Sequence, residues 1–131
     1  LYRSSGLRPK TLSLTYDDGP DEYTLQMAQW LHDQGVPATF FIVGCRFEGQ
    51  STSTSAMCTL PHKFPVSLIG QIAALGHRVA NHSHQHLDLV TLAGTPQALH
   101  DEISHRQPLH AAPWRLKLPH DGLQVDLGPG D

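Results

Sequence analysis

The stretch TYDDGP, residues 15 to 20, places two adjacent aspartates and a Gly-Pro pair at the end of a strand-like run. This run alternates apolar with polar residues, and its apolar members are Leu12, Leu14 and Tyr16. Neighbouring carboxylates repel each other unless a positive charge lies close to them. The stretch therefore predicts that Asp17 and Asp18 follow the first strand and share a positively charged partner from another part of the chain.

Strand-like and helix-like segments alternate beyond this stretch. The predicted strands are 11–16, 38–44 and 77–82, and the predicted helices are 24–35, 65–76 and 94–105. We expect Asp21 or Thr24 to start the first helix and Gly35 to end it. The middle strand, ATFFIVG, is continuously apolar, as a buried parallel strand would be. This alternation predicts a parallel α/β sheet or barrel.

Length and composition favour a soluble globular protein. The chain has 131 residues, 39% of them hydrophobic and 16% charged, with a formal net charge of −3. These values predict one domain spanning residues 1–131. No basic cluster suggests a nucleic-acid partner, and no apolar run approaches the roughly 18 residues of a membrane span. Because the first residues include neither an initiator Met nor a hydrophobic signal region, we expect a mature, trimmed or fragmentary chain.

Two features of the sequence leave alternatives open. Segment 106–131 contains four prolines and no clear period, which fits either extended segments with turns or a poorly ordered tail. Cys45 precedes a loop predicted over residues 48–63, which is rich in Ser and Thr and contains Cys58. Their spacing does not match a zinc knuckle, so they form either a disulfide or a pair of buried thiols.

The histidines provide the partner that the two aspartates require. The chain has ten histidines, and the segment NHSHQH follows the third predicted strand. Because the carboxyl ends of parallel strands meet at one edge of a sheet, we expect this segment to lie close to Asp17 and Asp18. His82 and His86 are four positions apart, which on a helical turn places both imidazoles on one face. With one carboxylate they form a three-ligand site for an ion such as zinc, cobalt or nickel.

The aspartate and histidine segments resemble the motifs of a known family. TYDDGP (15–20) looks like the first motif of the polysaccharide deacetylases, the NodB-homology or carbohydrate esterase family 4 domain. NHSHQHLDL (81–89) looks like the second motif, a His-(Ser/Thr)-x-x-x-His pattern. The resemblance extends over roughly residues 10 to 92. It implies an α/β fold, specifically a partial or irregular parallel (β/α) barrel of the NodB-homology type.

The resemblance also implies the chemistry. Asp17 would be the general base, and Asp18, His82 and His86 would bind one divalent metal ion, Zn²⁺ or Co²⁺. The implied activity is hydrolysis of N-acetyl or O-acetyl groups on a polysaccharide such as chitin or peptidoglycan. The expected protein is a monomer that is secreted or located at the cell surface or in the periplasm.

The match weakens in the last third of the chain. The third motif of the family is Arg-x-Pro-aromatic, whereas this chain has AAPW, with Ala111 in place of the arginine and Trp114 as the predicted pocket residue. LKLPH fits the letters of the fifth motif and predicts His120 as the general acid. The fourth motif has no counterpart. A second hypothesis is therefore a catalytically impaired domain that retains the metal and binds glycan without turnover.

Several other residues receive a structural interpretation. His77 opens the third predicted strand and is expected to be structural, whereas His84 is expected to be exposed. Trp30 and Tyr16 are predicted to belong to the core. The remaining histidines are not spaced from another candidate ligand as paired ligands are, and they are predicted to lie on the surface: His32, His62, His100, His105 and His110.

Overall fold

A computed structural model describes residues 12–50, 55–104, 115–117 and 124–126. The elements follow the predicted strand and helix alternation. In chain order they are β1 (Thr15–Gly19), α1 (Thr24–Asp33), β2 (Thr39–Ile42), a 3-10 turn (Gly44–Arg46), α2 (Ser67–Ala74), β3 (Arg78–Asn81), α3 (Leu89–Leu92), α4 (Pro96–Ser104), β4 (Arg115–Lys117) and β5 (Gln124–Asp126).

The central sheet has the strand order β1-β2-β3, and both pairings are parallel. Each connection between these strands includes a helix, α1 in the first and α2 in the second. Strands β4 and β5 form a separate antiparallel pair. The predicted parallel α/β class is therefore confirmed, and the three-stranded sheet is the repeating β/α arrangement of which a barrel is built.

Helices α1 and α2 contribute to one hydrophobic core with the strands. The fully enclosed side chains on the helices are Ala28, Leu31, Leu68, Ile69 and Ile72, and those on the strands are Phe40, Ile42 and Val79. Burying a Leu or Ile side chain is worth about 1.5 to 3 kcal/mol, so this cluster is the main source of stability for the sheet. The core extends to Ile42, the last residue of β2, which pairs with Gly19 of β1 and Asn81 of β3.

One core prediction is wrong and another is met in part. Trp30 is 59% exposed, because the face of α1 that points inward is formed by Ala28 and Leu31. Tyr16 is half-buried and packs against the core cluster. Its ring stacks on Phe40, with centroids 5.2 Å apart.

Element boundaries shifted most around β1. We expected a strand over 11–16 with both aspartates after it, but β1 includes Asp17 and Asp18 because the ladder to β2 continues as far as Gly19. Helix α1 ends as predicted, with Gly35 at a φ of 66° just beyond it. The 3-10 turn and the short helix α3 were not predicted.

The cysteine alternative is settled in favour of the disulfide. Cys45 and Cys58 are bonded, with their Cα atoms 5.3 Å apart. The Lys63 ammonium donates to the carbonyl oxygens of both cysteines, at 2.8 and 2.7 Å. Burial, followed by repulsion from nearby Arg46, lowers the pKa of Lys63. The bridge joins the loop before α2 to the 3-10 turn that follows β2.

Two other predictions concern the extent of the domain. Most of segment 106–131 lies outside the described residues. Both alternatives for this segment, extended segments with turns or a poorly ordered tail, therefore stay predictions, as does the single-domain span of 1–131. Within the described part of the chain, no helix combines the length and the apolar character needed to cross a bilayer.

Candidate active site

A bulge in β1 determines where the two aspartates point. Tyr16 pairs with Phe40 and Gly19 with Ile42, so two β1 residues face a single β2 residue between these pairs. Asp18 adopts a φ of 67°, in the left-handed region that Asp tolerates better than most side chains. The bulge interrupts the regular alternation of side chains and brings the Asp18 carboxylate to the histidine segment.

The histidine segment forms an irregular loop over residues 82–88, the histidine loop, and the predicted helical turn is wrong. No helix lies between the end of β3 at Asn81 and the start of α3 at Leu89. The end of β2 and the 3-10 turn after it hold the loop through backbone hydrogen bonds. The His82 N–H donates to the Ile42 carbonyl. The Ser83 and His84 carbonyls accept from the N–H groups of Gly44 and Cys45. These long-range bonds replace the local i, i+4 bonds of a helix.

Asp18, His82 and His86 nevertheless converge as predicted. Oδ1 of Asp18 lies 3.0 Å from Nε2 of His82 and 3.0 Å from Nε2 of His86. One ligand atom from each residue lies within 4.8 Å of the others. The three side chains remain partly exposed, 58% for Asp18, 28% for His82 and 44% for His86.

This donor set fits a divalent ion such as zinc. Two imidazole nitrogens and one carboxylate oxygen are ligands that zinc accepts, and three protein ligands leave a coordination position open. With metal–ligand bonds of about 2.0 to 2.2 Å, tetrahedral ligand atoms lie about 3.3 to 3.6 Å apart. The observed 3.0 Å separations need only a small outward movement of the side chains to admit the ion.

Asp17 faces a different environment from its neighbour. Its carboxylate forms no hydrogen bond or ion pair with any residue that the structure describes. With Asp18 it lines a cleft of about 180 Å³ whose apolar walls include Tyr16, Tyr23 and Met27. A second cleft, of about 390 Å³, borders the histidine side and is lined in part by His82 and His86. The candidate ligands therefore stand between two clefts.

A buried arginine supports the turn that follows the aspartates. Nε of Arg46 donates to the carbonyl oxygen of Pro20 at 3.2 Å, and its guanidinium lies over the Phe64 ring. Burial lowers the pKa of Arg46, and the Asp21 carboxylate opposes that shift. Asp21 in turn accepts from the Tyr23 N–H and the Thr24 hydroxyl, which forms the start of α1.

The predicted exposure of the other histidines is confirmed for most of those that the structure describes and wrong for one. His77 is buried and structural as predicted: its Nδ1 accepts from Ala38 N–H and its Nε2 donates to the Ala28 carbonyl. His84 was expected to be exposed but is 1% exposed, because its backbone is fixed between Cys45 and Glu102. The surface prediction is met by His32, His62 and His100.

The sequence interpretation missed Glu102, whose buried side chain contacts the histidine loop. The helical spacing of apolar residues could have indicated its position. Glu102 follows Leu99 by three positions and Ala98 by four, and both of these apolar residues of α4 are half-buried. This spacing places Glu102 on the inward face of the helix. The predicted residues His120 and Trp114, together with Ala111, lie outside the described residues. Their assignments stay predictions.

Comparison with known proteins identifies the family. Residues 4–112 match the family described as "Polysaccharide deacetylase". The chain is 34% identical over 84 residues to the "Chitin deacetylase" of Pestalotiopsis sp, covering 64% of this chain and 24% of that protein. It is 31% identical over 128 residues to the "Chitin deacetylase" of Colletotrichum lindemuthianum, covering 92% of this chain and 48% of that protein.

A bacterial relative is similar as well. The chain is 36% identical over 90 residues to a "Peptidoglycan-N-acetylglucosamine deacetylase" of Bacillus cereus, covering 67% of this chain and 27% of that protein. The chain thus spans less than half the length of each of these three relatives. The family match, by contrast, takes in most of the present sequence, including both aspartates and the whole histidine loop. This chain belongs to the polysaccharide deacetylase family.

Proposed function

We propose that this chain carries the metal centre and general base of a hydrolase that removes N-acetyl groups from a polysaccharide. The observation that carries the proposal is the convergence of Asp18, His82 and His86 beside the Asp17 carboxylate, which has no partner among the described residues. The family membership supports it, because the two motifs that provide these residues lie within the matched range.

Each residue has a distinct role in the proposed chemistry. Asp18, His82 and His86 hold a divalent ion, Zn²⁺ or Co²⁺, which when bound supplies Lewis acidity to polarise an amide carbonyl and to acidify water. Asp17, free of competing partners within the described residues, accepts the proton of the attacking water. His120 is the proposed donor of the proton that the departing amine requires, and Trp114 the proposed wall of the acetyl pocket.

The substrate class follows from the family and the clefts. An N-acetylated polymer such as chitin or peptidoglycan is the proposed substrate, because the relatives named above are deacetylases of these polymers. The cleft beside Asp17 combines carboxylates with the rings of Tyr16 and Tyr23, a mixture that suits the polar edges and apolar faces of sugars. Since such polymers lie outside the cytoplasm, we propose a secreted or cell-surface location and a monomeric enzyme.

The test is release of acetate from an N-acetylglucosamine oligomer by the 131-residue chain. Acetate should appear with zinc or cobalt, stop when a chelator removes the metal, and return when the metal is restored. His82→Ala should abolish both metal retention and acetate release. His100→Ala, which changes a histidine exposed on α4, is the matched control and should preserve both.

One feature of the sequence favours a second function. Ala111 takes the place of the arginine that the family motif leads us to expect, which favours a domain that retains metal and glycan without turnover. Tight metal binding and oligosaccharide binding without any acetate would establish this alternative. Absence of metal binding would exclude both functions.

A further inference from the structure

Glu102 connects helix α4 to the loop that carries the candidate ligand His86. Its side chain is 1% exposed. Oε1 accepts the backbone N–H of Gln85 at 2.8 Å and that of Leu87 at 3.1 Å. One carboxylate oxygen therefore holds the backbone N–H groups of the residues before and after His86.

The end of α4 is joined to this loop by two more hydrogen bonds. The His84 N–H donates to the Glu102 carbonyl at 2.8 Å, and the Asn81 amide donates to the Ile103 carbonyl at 2.8 Å. These carbonyls belong to the last turn of α4, where no intrahelical donor exists. Glu102 is thus the side-chain member of a backbone junction between α4 and the histidine loop.

The position is unfavourable for a carboxylate in terms of stability. A buried charge costs free energy, and a negative charge in the last turn opposes the helix dipole. Oε2 is also buried, with no hydrogen-bond partner among the residues that the structure describes. Burial and the helix dipole thus both disfavour an acid at this position. The acid is explained instead by the two converging N–H groups, which require an acceptor.

His86 is the residue that benefits from this acceptor. It adopts a φ of 58°, a conformation that costs an ordinary side chain free energy unless its surroundings impose it. The Ser83 hydroxyl accepts the His86 N–H at 3.1 Å, and Glu102 fixes the two flanking amides. All three successive N–H groups, from Gln85 to Leu87, are thereby held.

We propose that Glu102 is a positioning residue that sets His86 in place for metal binding before the ion arrives. The inference rests on the proposed metal site of Asp18, His82 and His86. Without the Oε1 acceptor, the loop can return to ordinary backbone angles and withdraw the imidazole. Loss of groups that orient a metal ligand typically lowers metal affinity by about 10- to 100-fold.

The test compares Glu102→Gln with Glu102→Met in the 131-residue chain. Both replacements are close to glutamate in length, but only glutamine keeps an oxygen that can accept the two N–H groups. Zinc titration by calorimetry should give near-native affinity for Glu102→Gln and an affinity at least about 10-fold weaker for Glu102→Met. Asp101→Asn, at a half-exposed position next to it on α4, is the control and should bind zinc as the parent does.

Thermal unfolding of the metal-free variants separates positioning from folding. A Glu102→Met protein that melts close to the parent and still binds zinc weakly supports the inference. Equal zinc affinity in Glu102→Gln and Glu102→Met overturns it while leaving the metal site intact. Failure of the parent chain to bind zinc would instead defeat the proposed function.

Hydrogen exchange on the unsubstituted, metal-free chain gives an independent measurement if Glu102→Met does not fold. The Gln85 and Leu87 amides should exchange slowly, because Glu102 already holds them without the ion. Rapid exchange at both amides would show that the loop is not preset and would contradict the inference.

Discussion

Asp17 and Asp18 are adjacent in sequence but differ in what they contact. The Asp18 oxygen lies against two imidazole nitrogens, whereas Asp17 faces a cleft without a partner among the described residues. The left-handed φ of Asp18 and the bulge in β1 produce this division. Two like charges side by side are tolerable if one of them binds a cation and the other remains available to accept a proton.

The substitution Asp17→Asn tests this division at the residue scale. It removes the proton acceptor while preserving side-chain size, so acetate release should fall by about 10²- to 10⁴-fold. Zinc affinity should stay within about twofold of the parent, because Asp17 is not one of the three converging ligands. Acetate assays and calorimetry on the same preparation measure both values. If Asp17→Asn released acetate as fast as the parent, Asp17 would not be the general base.

The convergence of Asp18, His82 and His86 could be predicted from the sequence, but the backbone geometry that produces it could not. Asp18, His82 and His86 belong to motifs at the ends of predicted strands, so their convergence followed from the parallel architecture. The positive φ angles of Asp18 and His86 depend on partners far away in the chain, including β2 and Glu102. For the same reason the predicted helical turn at the histidines was wrong.

At the scale of elements, periodicity predicted the helices and strands because most of them bury one regular face. The three parallel strands and the helices α1, α2 and α4 all lie within the predicted segments or overlap them. The errors arose where that regularity breaks, as in the bulged strand β1. The short helix α3 has no buried residue, and this absence of an apolar face explains why periodicity did not reveal it.

Helix α2 provides the sharpest element-scale prediction. Ile72 is 1% exposed in the core cluster, so Ile72→Ala should lower the free energy of unfolding by about 2 to 5 kcal/mol. Ile103→Ala makes the same chemical change at a side chain that is 46% exposed, and it should cost less than about 1 kcal/mol. Denaturant unfolding of both variants provides the comparison, and equal losses would contradict the assigned core.

For the molecule as a whole, the disulfide fixes the connection between β2 and α2 beside the candidate site. The Cys45 N–H donates to the His84 carbonyl, and the Ser55 hydroxyl donates to the Gln85 carbonyl at 2.6 Å. The bridge therefore holds a loop between β2 and α2 against the histidine loop that follows β3. The sequence left the pairing open because a separation of thirteen positions does not show how far apart two cysteines lie in the folded chain.

Reduction of this bridge should destabilise the chain. Closing a loop of this length is worth about 3 kcal/mol in the chain-entropy account, so a reductant should lower the melting temperature. The double variant Cys45→Ala with Cys58→Ala is the control and should melt at the same temperature with and without reductant. A melting temperature of the parent chain that does not respond to complete reduction, verified by thiol titration, would contradict this prediction.

The central claim for the whole molecule is that one divalent ion joins β1 to the loop after β3. Calorimetric titration of zinc into the demetallated 131-residue chain tests it most directly, with Asp18→Ala as the matched variant. The account predicts uptake of one ion per chain, and a loss of at least about 10-fold in affinity when Asp18 is replaced. No uptake by the parent chain, or equal affinity in Asp18→Ala, would contradict it.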